Sequence, residues 1–371
     1  MPEERAYWLA WSQISGIGAI SLKRIARHFG SLKDAWNAPA NAFGAVEGLN
    51  SKAINAIIRE RTPNSLEPEQ LLKRHLRHNP QFWTPDDSEY PRLLQEIPSP
   101  PPLLYYCGRV LLAENQGDTP LIGIVGTRYP TEYGRRWTSK ITRYLVKHGF
   151  GIVSGMAAGI DAVAHDSCIK AGGRTIAVLG TGVDTVYPLS NRQLYRQIEQ
   201  NGLIVSEYPA QTKPERGNFP ARNRIIAGLC RAVLIMEAPK KSGALITARF
   251  ANDFNRDVYV LPGSLDNSQS LGCLELLNRG AHVILSEEHL LEMLGTMPYL
   301  DPIERSPVTQ TLPQLEPELE RVFQTIGTGA IALDAIAQKT NLPPERIMAA
   351  LSQLEIMDLI VQLPGMRYRR T

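Results

Sequence analysis

The strongest constraint on this chain is a series of short apolar runs between residues 119 and 290, each closing on glycine or a small polar residue and each followed by a helical stretch. Leu121–Val125 ends in Gly-Thr-Arg, Gly151–Val153 in Ser-Gly and Thr175–Leu179 in Gly-Thr-Gly. Leu203–Val205 ends in Ser-Glu-Tyr-Pro, Ala232–Met236 in Glu-Ala and Val258–Leu261 in Pro-Gly, with His282–Leu285 as a last candidate strand. Helices are expected near 131–148, 160–171, 191–200, 223–230, 243–254 and 271–279. Runs this short, alternating with helices, specify strands buried on both faces of a parallel sheet. The fold class is α/β, an extended Rossmann-like doubly wound parallel sheet.

The 371-residue length leaves room for more than this sheet. Residues 1–65 read as a small helical domain in which Gly16-Ile17-Gly18 breaks one helix and a second starts near Ser21, with Leu22, Ile25, Ala26 and Phe29 on one face. Val46–Asn50 begins a degenerate copy of that turn, and the segment resembles paired helix-hairpin-helix (SAM-like) modules. The sheet domain is expected over 66–290. It opens with a turn-rich lead-in to about 118, in which Leu103–Tyr106, flanked by prolines, reads as an edge strand. A proline-containing linker follows over 291–314. Three helices and a hairpin over 315–371 form a winged-helix pattern.

Bulk charge does not make this chain a polycation, since 40 basic and 37 acidic residues leave a formal +3. A nucleic-acid site must therefore come from local clustering. The tail sums to −1 (six basic, seven acidic residues), which favours protein contact or packing over DNA reading, with Arg367, Arg369 and Arg370 as the opposing sign. Cys107, Cys168, Cys230 and Cys273 lie far apart with no CxxC spacing, so buried thiols are expected rather than a zinc site. The start MPEERAYW has no apolar signal core, and no run approaches the roughly 20 apolar residues of a membrane span, so a cytoplasmic protein without membrane insertion is expected.

In a doubly wound sheet, ligands bind at the carboxyl ends of the strands, and there this chain gathers its glycines, hydroxyls and cations. The candidates are Gly126, Thr127 and Arg128 after the first strand, and Ser154, Gly155 and Met156 after the second. Arg222, Asn223 and Arg224 lie at one helix start, and Lys241, Ser242 and Gly243 at another. Glycine lets a ligand approach the backbone, and helix amino termini offer free N–H groups. Several such cradles along one edge suit consecutive phosphates of one strand. Arg222 and Arg224 are two apart, so at most one is expected to face a groove if both are helical. Phe219 and Tyr129 are candidate stacking platforms. Asp161 and His165, four apart on a helix, are expected to make structural hydrogen bonds rather than acid–base chemistry.

The motifs GTR followed by YG at 126–134, SGMAAGIDAVAH at 154–165, AVLGTGVDTVYPLSN at 177–191, FPARNRIIAGL at 219–229, KSGALITA at 241–248 and LPGS at 261–264 come in the order of the DNA-processing protein A (DprA, or Smf) family, which the chain resembles over about 85–285. The resemblance implies a non-enzymatic, cytoplasmic protein that uses no cofactor. It would bind and protect incoming single-stranded DNA, load the RecA recombinase during natural transformation, and form a homodimer through the Rossmann-like domain. Thr127 stands where the family usually has Ser, and Leu274 where it usually has Asn, so no contact is carried onto Leu274.

Two other classes remain. Rossmann-like nucleotide N-glycosidases rely on a PGGxGTxxE loop, but here Pro262-Gly263 is followed by Ser-Leu-Asp-Asn, without the second glycine or the glutamate. A nucleotide sensor without turnover is the third class. Neither a GxxxxGK[ST] loop nor a GxGxxG fingerprint is present.

Overall fold

The computed structural model is described for residues 2–61, 67–79, 81–295, 317–326, 331–340, 342–356, 360–363 and 366–370. It divides into two compact units, Met1–Asp301 and Pro302–Thr371. The expected linker lies outside the described residues beyond 295, and so do Pro364 and Gly365 within the expected hairpin.

In the first unit the helices α1 (Pro2–Ser12), α2 (Ala19–Phe29), α3 (Leu32–Asn37), α4 (Ser51–Glu60) and α5 (Pro68–Leu76) precede the sheet. The two hairpin turns ahead of α2 and α4 carry Gly16 and Gly48 at φ +79° and +75°, a region that glycine enters without strain. In the second turn Asn50 replaces the paired glycine and caps α4 by accepting the Ala53 N–H at 2.8 Å. Trp11, Leu22, Ile25 and Ile57 of these helices share one apolar cluster with Phe82, Tyr105, Ala177 and Ile204, so the expected 1–65 segment packs on the sheet within the same unit.

The strands are β1 (Phe82–Trp83), β2 (Leu104–Gly108), β3 (Leu121–Val125), β4 (Gly151–Ser154), β5 (Thr175–Val178), β6 (Leu203–Ser206), β7 (Ala232–Ile235), β8 (Asp257–Val260) and β9 (His282–Val283). Among the described residues they form one nine-stranded sheet of order β1-β2-β6-β5-β4-β3-β7-β8-β9. β6 through β9 are parallel, and β2 runs antiparallel to both of its neighbours. The segment expected as an edge strand at 103–106 is therefore internal, and the true edge is the two-residue β1. Its Phe82 pairs with Tyr105, and so short a run leaves no periodic signature.

Between the strands run α6 (Arg92–Gln95), α7 (Leu112–Gln116), α8 (Glu132–Lys147), α9 (Ile160–Lys170), α10 (Arg192–Asn201), α11 (Asn218–Leu229), α12 (Ala244–Asp253), α13 (Leu271–Asn278) and α14 (Glu287–Gly295). The strands alternate sides as a two-faced core requires. Ile122, Ile124, Leu234 and Met236 pack with Ile141 and Leu145 of α8 and Ile160 and Ala164 of α9. Leu121, Val125, Val233 and Ile235 pack on the other face with Ile225 and Leu229 of α11 and Ala248 and Ala251 of α12. Two differences from the expected helices matter. α14 covers the first five residues assigned to the linker, and α11 begins five residues before the expected 223. Pro220 does not prevent that early start, because the first turn of a helix needs no N–H donor.

In the second unit, α15 (Pro317–Thr325), β10 (Ile331–Ala332), α16 (Leu333–Thr340), α17 (Pro344–Ile356), β11 (Ile360–Leu363) and β12 (Arg367–Arg370) give three helices and a three-stranded sheet of order β10-β12-β11. Val322, Ile336, Ile347, Leu351 and Leu354 form its core. This is a winged helix. Among the described residues no helix is long and apolar enough to cross a membrane.

Candidate nucleic-acid interface

The winding direction reverses between β3 and β7, and the crevice at such a switch point is where doubly wound sheets hold ligands. Loops leaving the carboxyl ends of these two strands enclose a cleft of about 530 Å3. Gly126–Tyr129, Lys241–Gly243 and the first turns of α11 line it, together with Ala157, Asp161, Tyr187 and Arg216.

A buried carboxylate holds the cleft's loops in place. Glu237, 1% exposed just past β7, accepts the Thr131 N–H at 2.8 Å, the Thr131 hydroxyl at 2.6 Å and the Asn267 side chain at 3.3 Å. Its carbonyl accepts the Thr127 N–H at 2.7 Å. The Thr127 hydroxyl donates to Gln269 Oε1 at 2.9 Å and accepts the Tyr129 N–H at 3.2 Å. Thr127 is thus a buried brace, and the residues it presents to solvent are Arg128 and Tyr129. Gly159 sits against this brace at φ +85°, where a Cβ would run into the carbonyls of Thr127 and Arg128. Gly159→Ala is expected to cost about 2–4 kcal/mol, combining backbone strain with overpacking. Denaturant unfolding checks this, and a midpoint equal to wild type would contradict it.

Arg222 lies on the cleft floor but has little reach into the cleft, being 4% exposed. It donates to the Gly155 carbonyl at 2.5 Å, to the Val178 carbonyl and to Asn223 Oδ1 at 3.0 Å. Beneath the same loop, the Asp161 carboxylate accepts the Gly155 and Ala157 N–H groups at 3.2 and 3.3 Å. Burial pushes the Arg222 guanidinium down to about 10, against the pull of Asp161. Burial likewise raises Asp161, against the pull of Arg222 and the two backbone donors. His165, fully buried, is pushed down to about 3 by burial and then by the Arg222 charge, and its Nδ1 shares a 2.7 Å hydrogen bond with the Thr175 hydroxyl. These groups tie the 154–161 loop to the strand ends.

Several sequence candidates therefore lie outside the cleft. The Ser154 hydroxyl donates to the Ile124 carbonyl at 2.6 Å. Gly155 lies under the Arg222 guanidinium, and Met156, at φ +59°, is buried in an apolar cluster. Arg224 turns away altogether: its guanidinium forms a two-pronged ion pair with Glu207 at 2.6 and 2.7 Å and donates to the Ser99 carbonyl at 3.1 Å. The early start of α11 makes both arginines helical, so they point to different sides. Neither offers a free charge.

The cleft does bring together Gly126, Thr127, Arg128, Arg222, Asn223, Lys241, Ser242 and Gly243, with Thr127 and Arg222 buried as braces. Sequence reasoning missed Arg216 and Tyr187. Arg216 stands in the charged stretch KPERG just ahead of the FPARN motif, and Tyr187 lies inside the quoted VYPLSN motif. Arg128, Arg216 and Lys241 are exposed and form no hydrogen bond or ion pair among the described residues. Beside them the Phe219 and Tyr187 rings lie 5.3 Å apart at 37°, and the Arg128 guanidinium lies 5.9 Å from the Phe219 centroid. Tyr129 is 81% exposed. Unpaired cations next to accessible aromatic faces suit a ligand that carries both phosphates and planar rings.

Fold and site together define a Rossmann-like α/β protein with a cleft lined by exposed cations and aromatic rings at its switch point, joined in sequence to a winged helix. The chain belongs to the DNA recombination-mediator protein A family, which it matches over residues 81–295, and residues 306–366 match the DprA winged helix domain. It is 55% identical to Protein Smf of Synechocystis, over 99% of each chain. It is 41% identical to DNA processing protein DprA of Bacillus subtilis over 56% of this chain and 68% of that one. Its fold is similar to the X-ray structure of DNA processing protein A from Streptococcus pneumoniae, with TM-score 0.68 and 32% identity over 77% of this chain and 97% of that one. A structure of DNA processing protein A from Helicobacter pylori, described for its single-stranded DNA binding mode, matches with TM-score 0.52 and 35% identity over 58% of this chain and 96% of that one.

Proposed function

We propose that this chain is a non-enzymatic, cytoplasmic single-stranded-DNA-binding protein that protects incoming DNA and loads the RecA recombinase during natural transformation, acting as a homodimer through its Rossmann-like domain. The observation that carries the DNA reading is the set of three exposed cations, Arg128, Arg216 and Lys241, which form no hydrogen bond or ion pair among the described residues, beside the Phe219–Tyr187 pair. Phosphates of a single strand meet the cations, and its unstacked bases meet the rings. A duplex keeps its bases stacked and cannot use the rings. The single-stranded-DNA-binding relative from Helicobacter pylori supports the same reading. The match to a family described as a recombination mediator supports the RecA step. The non-enzymatic reading draws support from Asp161, whose carboxylate accepts backbone N–H groups, and from His165, which is fully buried with its Nδ1 bonded to the Thr175 hydroxyl.

Labelled oligothymidine is expected to bind with an affinity that falls steeply with salt, as counterions leave each phosphate contact. Duplex of the same length is expected to bind more weakly. Phe219→Ala is expected to remove about 1–3 kcal/mol of binding. Salt-independent binding, or equal affinity for duplex, would refute the proposal. Release of free base from nucleoside monophosphates would favour an N-glycosidase instead.

A further inference from the structure

A second and larger depression, of about 860 Å3, opens on the far side of the loop that carries Lys241. Lys241 and Ser242 line both it and the strand-end cleft, so the two meet at this loop. Helix α12 separates them by its periodicity. Ala244 and Thr247 face the cleft, whereas Leu245, Arg249 and Asn252, at spacings of four and three, face the groove.

The groove is basic in a particular way. Lys240, Lys241, Arg249, Arg256 and Arg279 line it against Asp257 and Glu275. Arg279 is held by Glu275 in an exposed pair four residues apart, which contributes little. Arg256 reaches Glu96 at 3.0 Å, but its Nε is buried with no hydrogen-bond partner among the described residues. Lys240, Lys241 and Arg249 are exposed and form no hydrogen bond or ion pair among the described residues. Phe, Tyr and Trp are absent from the lining among the described residues, in contrast to the cleft with Tyr129, Tyr187 and Phe219. The one ring in the lining, His282, stacks on Tyr259 at 5.1 Å, and cations with so little free ring surface suit a sugar–phosphate backbone whose bases point to solvent.

We propose that the groove is a second binding segment for the strand held in the cleft: the DNA leaves the cleft at Lys241, crosses the 240–242 loop and lays its backbone along Lys240 and Arg249. This rests on the single-strand reading of the cleft. It makes the site longer than the cleft and divides it into a part that holds bases and a part that holds phosphates.

The test uses the full chain, the Lys240→Ala, Arg249→Ala double variant, and oligothymidines of about 6 and about 20 nucleotides, lengths that bracket one and two segments of this kind. Both replaced side chains are exposed, so the fold is not at issue. Wild type is expected to bind the longer strand more tightly. The double variant is expected to bind the short strand as wild type does but to lose about tenfold on the long one, with a salt slope shallower by about 1.4. Equal loss on both lengths, no loss on either, or a change in sedimentation marking the groove as a contact between copies would each overturn the inference while leaving the cleft reading intact. Failure of wild type to bind either strand would instead sink the cleft reading.

Discussion

Arg222→Ala is expected to destabilise the first unit by about 3–5 kcal/mol, the cost of removing one partner from a buried charge network. The Gly155 and Val178 carbonyls lose their donor, and Asp161 is left as a buried carboxylate without its cation. That loss is a large part of a typical domain's total stability of about 5–15 kcal/mol. Arg222→Lys is expected to recover only part of it, since an ammonium keeps the charge but not the planar fork that reaches several acceptors. Urea unfolding of the three proteins measures this. A wild-type midpoint in Arg222→Ala with lost DNA binding would show that Arg222 is a DNA contact and not a brace.

The opposite outcome is expected at the rim. The Arg128→Ala, Lys241→Ala double variant is expected to unfold at the wild-type midpoint, because neither side chain holds a hydrogen bond or ion pair among the described residues. Its affinity for oligothymidine is expected to fall by about 10–100-fold, the scale of losing two charge-assisted phosphate contacts. Fluorescence anisotropy alongside thermal unfolding separates the two. Unchanged affinity would remove these residues from the interface, and a lowered midpoint would make them structural.

These two predictions concern cations that look alike in the sequence, and they mark where sequence reasoning stops. The sheet was legible because its apolar runs are short, alternate with helices and end in glycine. β2 was misplaced because its outer neighbour is the two-residue Phe82–Trp83, too short to show a period. Arg128 and Lys241 were legible because a residue at a strand's carboxyl end or ahead of a helix is placed by the topology itself. Arg222 and Arg224 were not, because their directions depend on where α11 starts, and Pro220 conceals that start. Thr127 and Ser154 offered hydroxyls suited to a phosphate, but only the folded chain supplies the Gln269 side chain and the Ile124 carbonyl that take them. Arg216 and Tyr187 lie in loops, where no periodicity reveals which residues converge.

A crystal structure of the full chain with bound oligothymidine would show where the protein holds a single strand. The expected result is a strand in the cleft, with phosphates within hydrogen-bonding distance of Arg128 and Lys241 and a base against Phe219. A strand bound on the winged helix with the strand-end cleft empty would contradict the account.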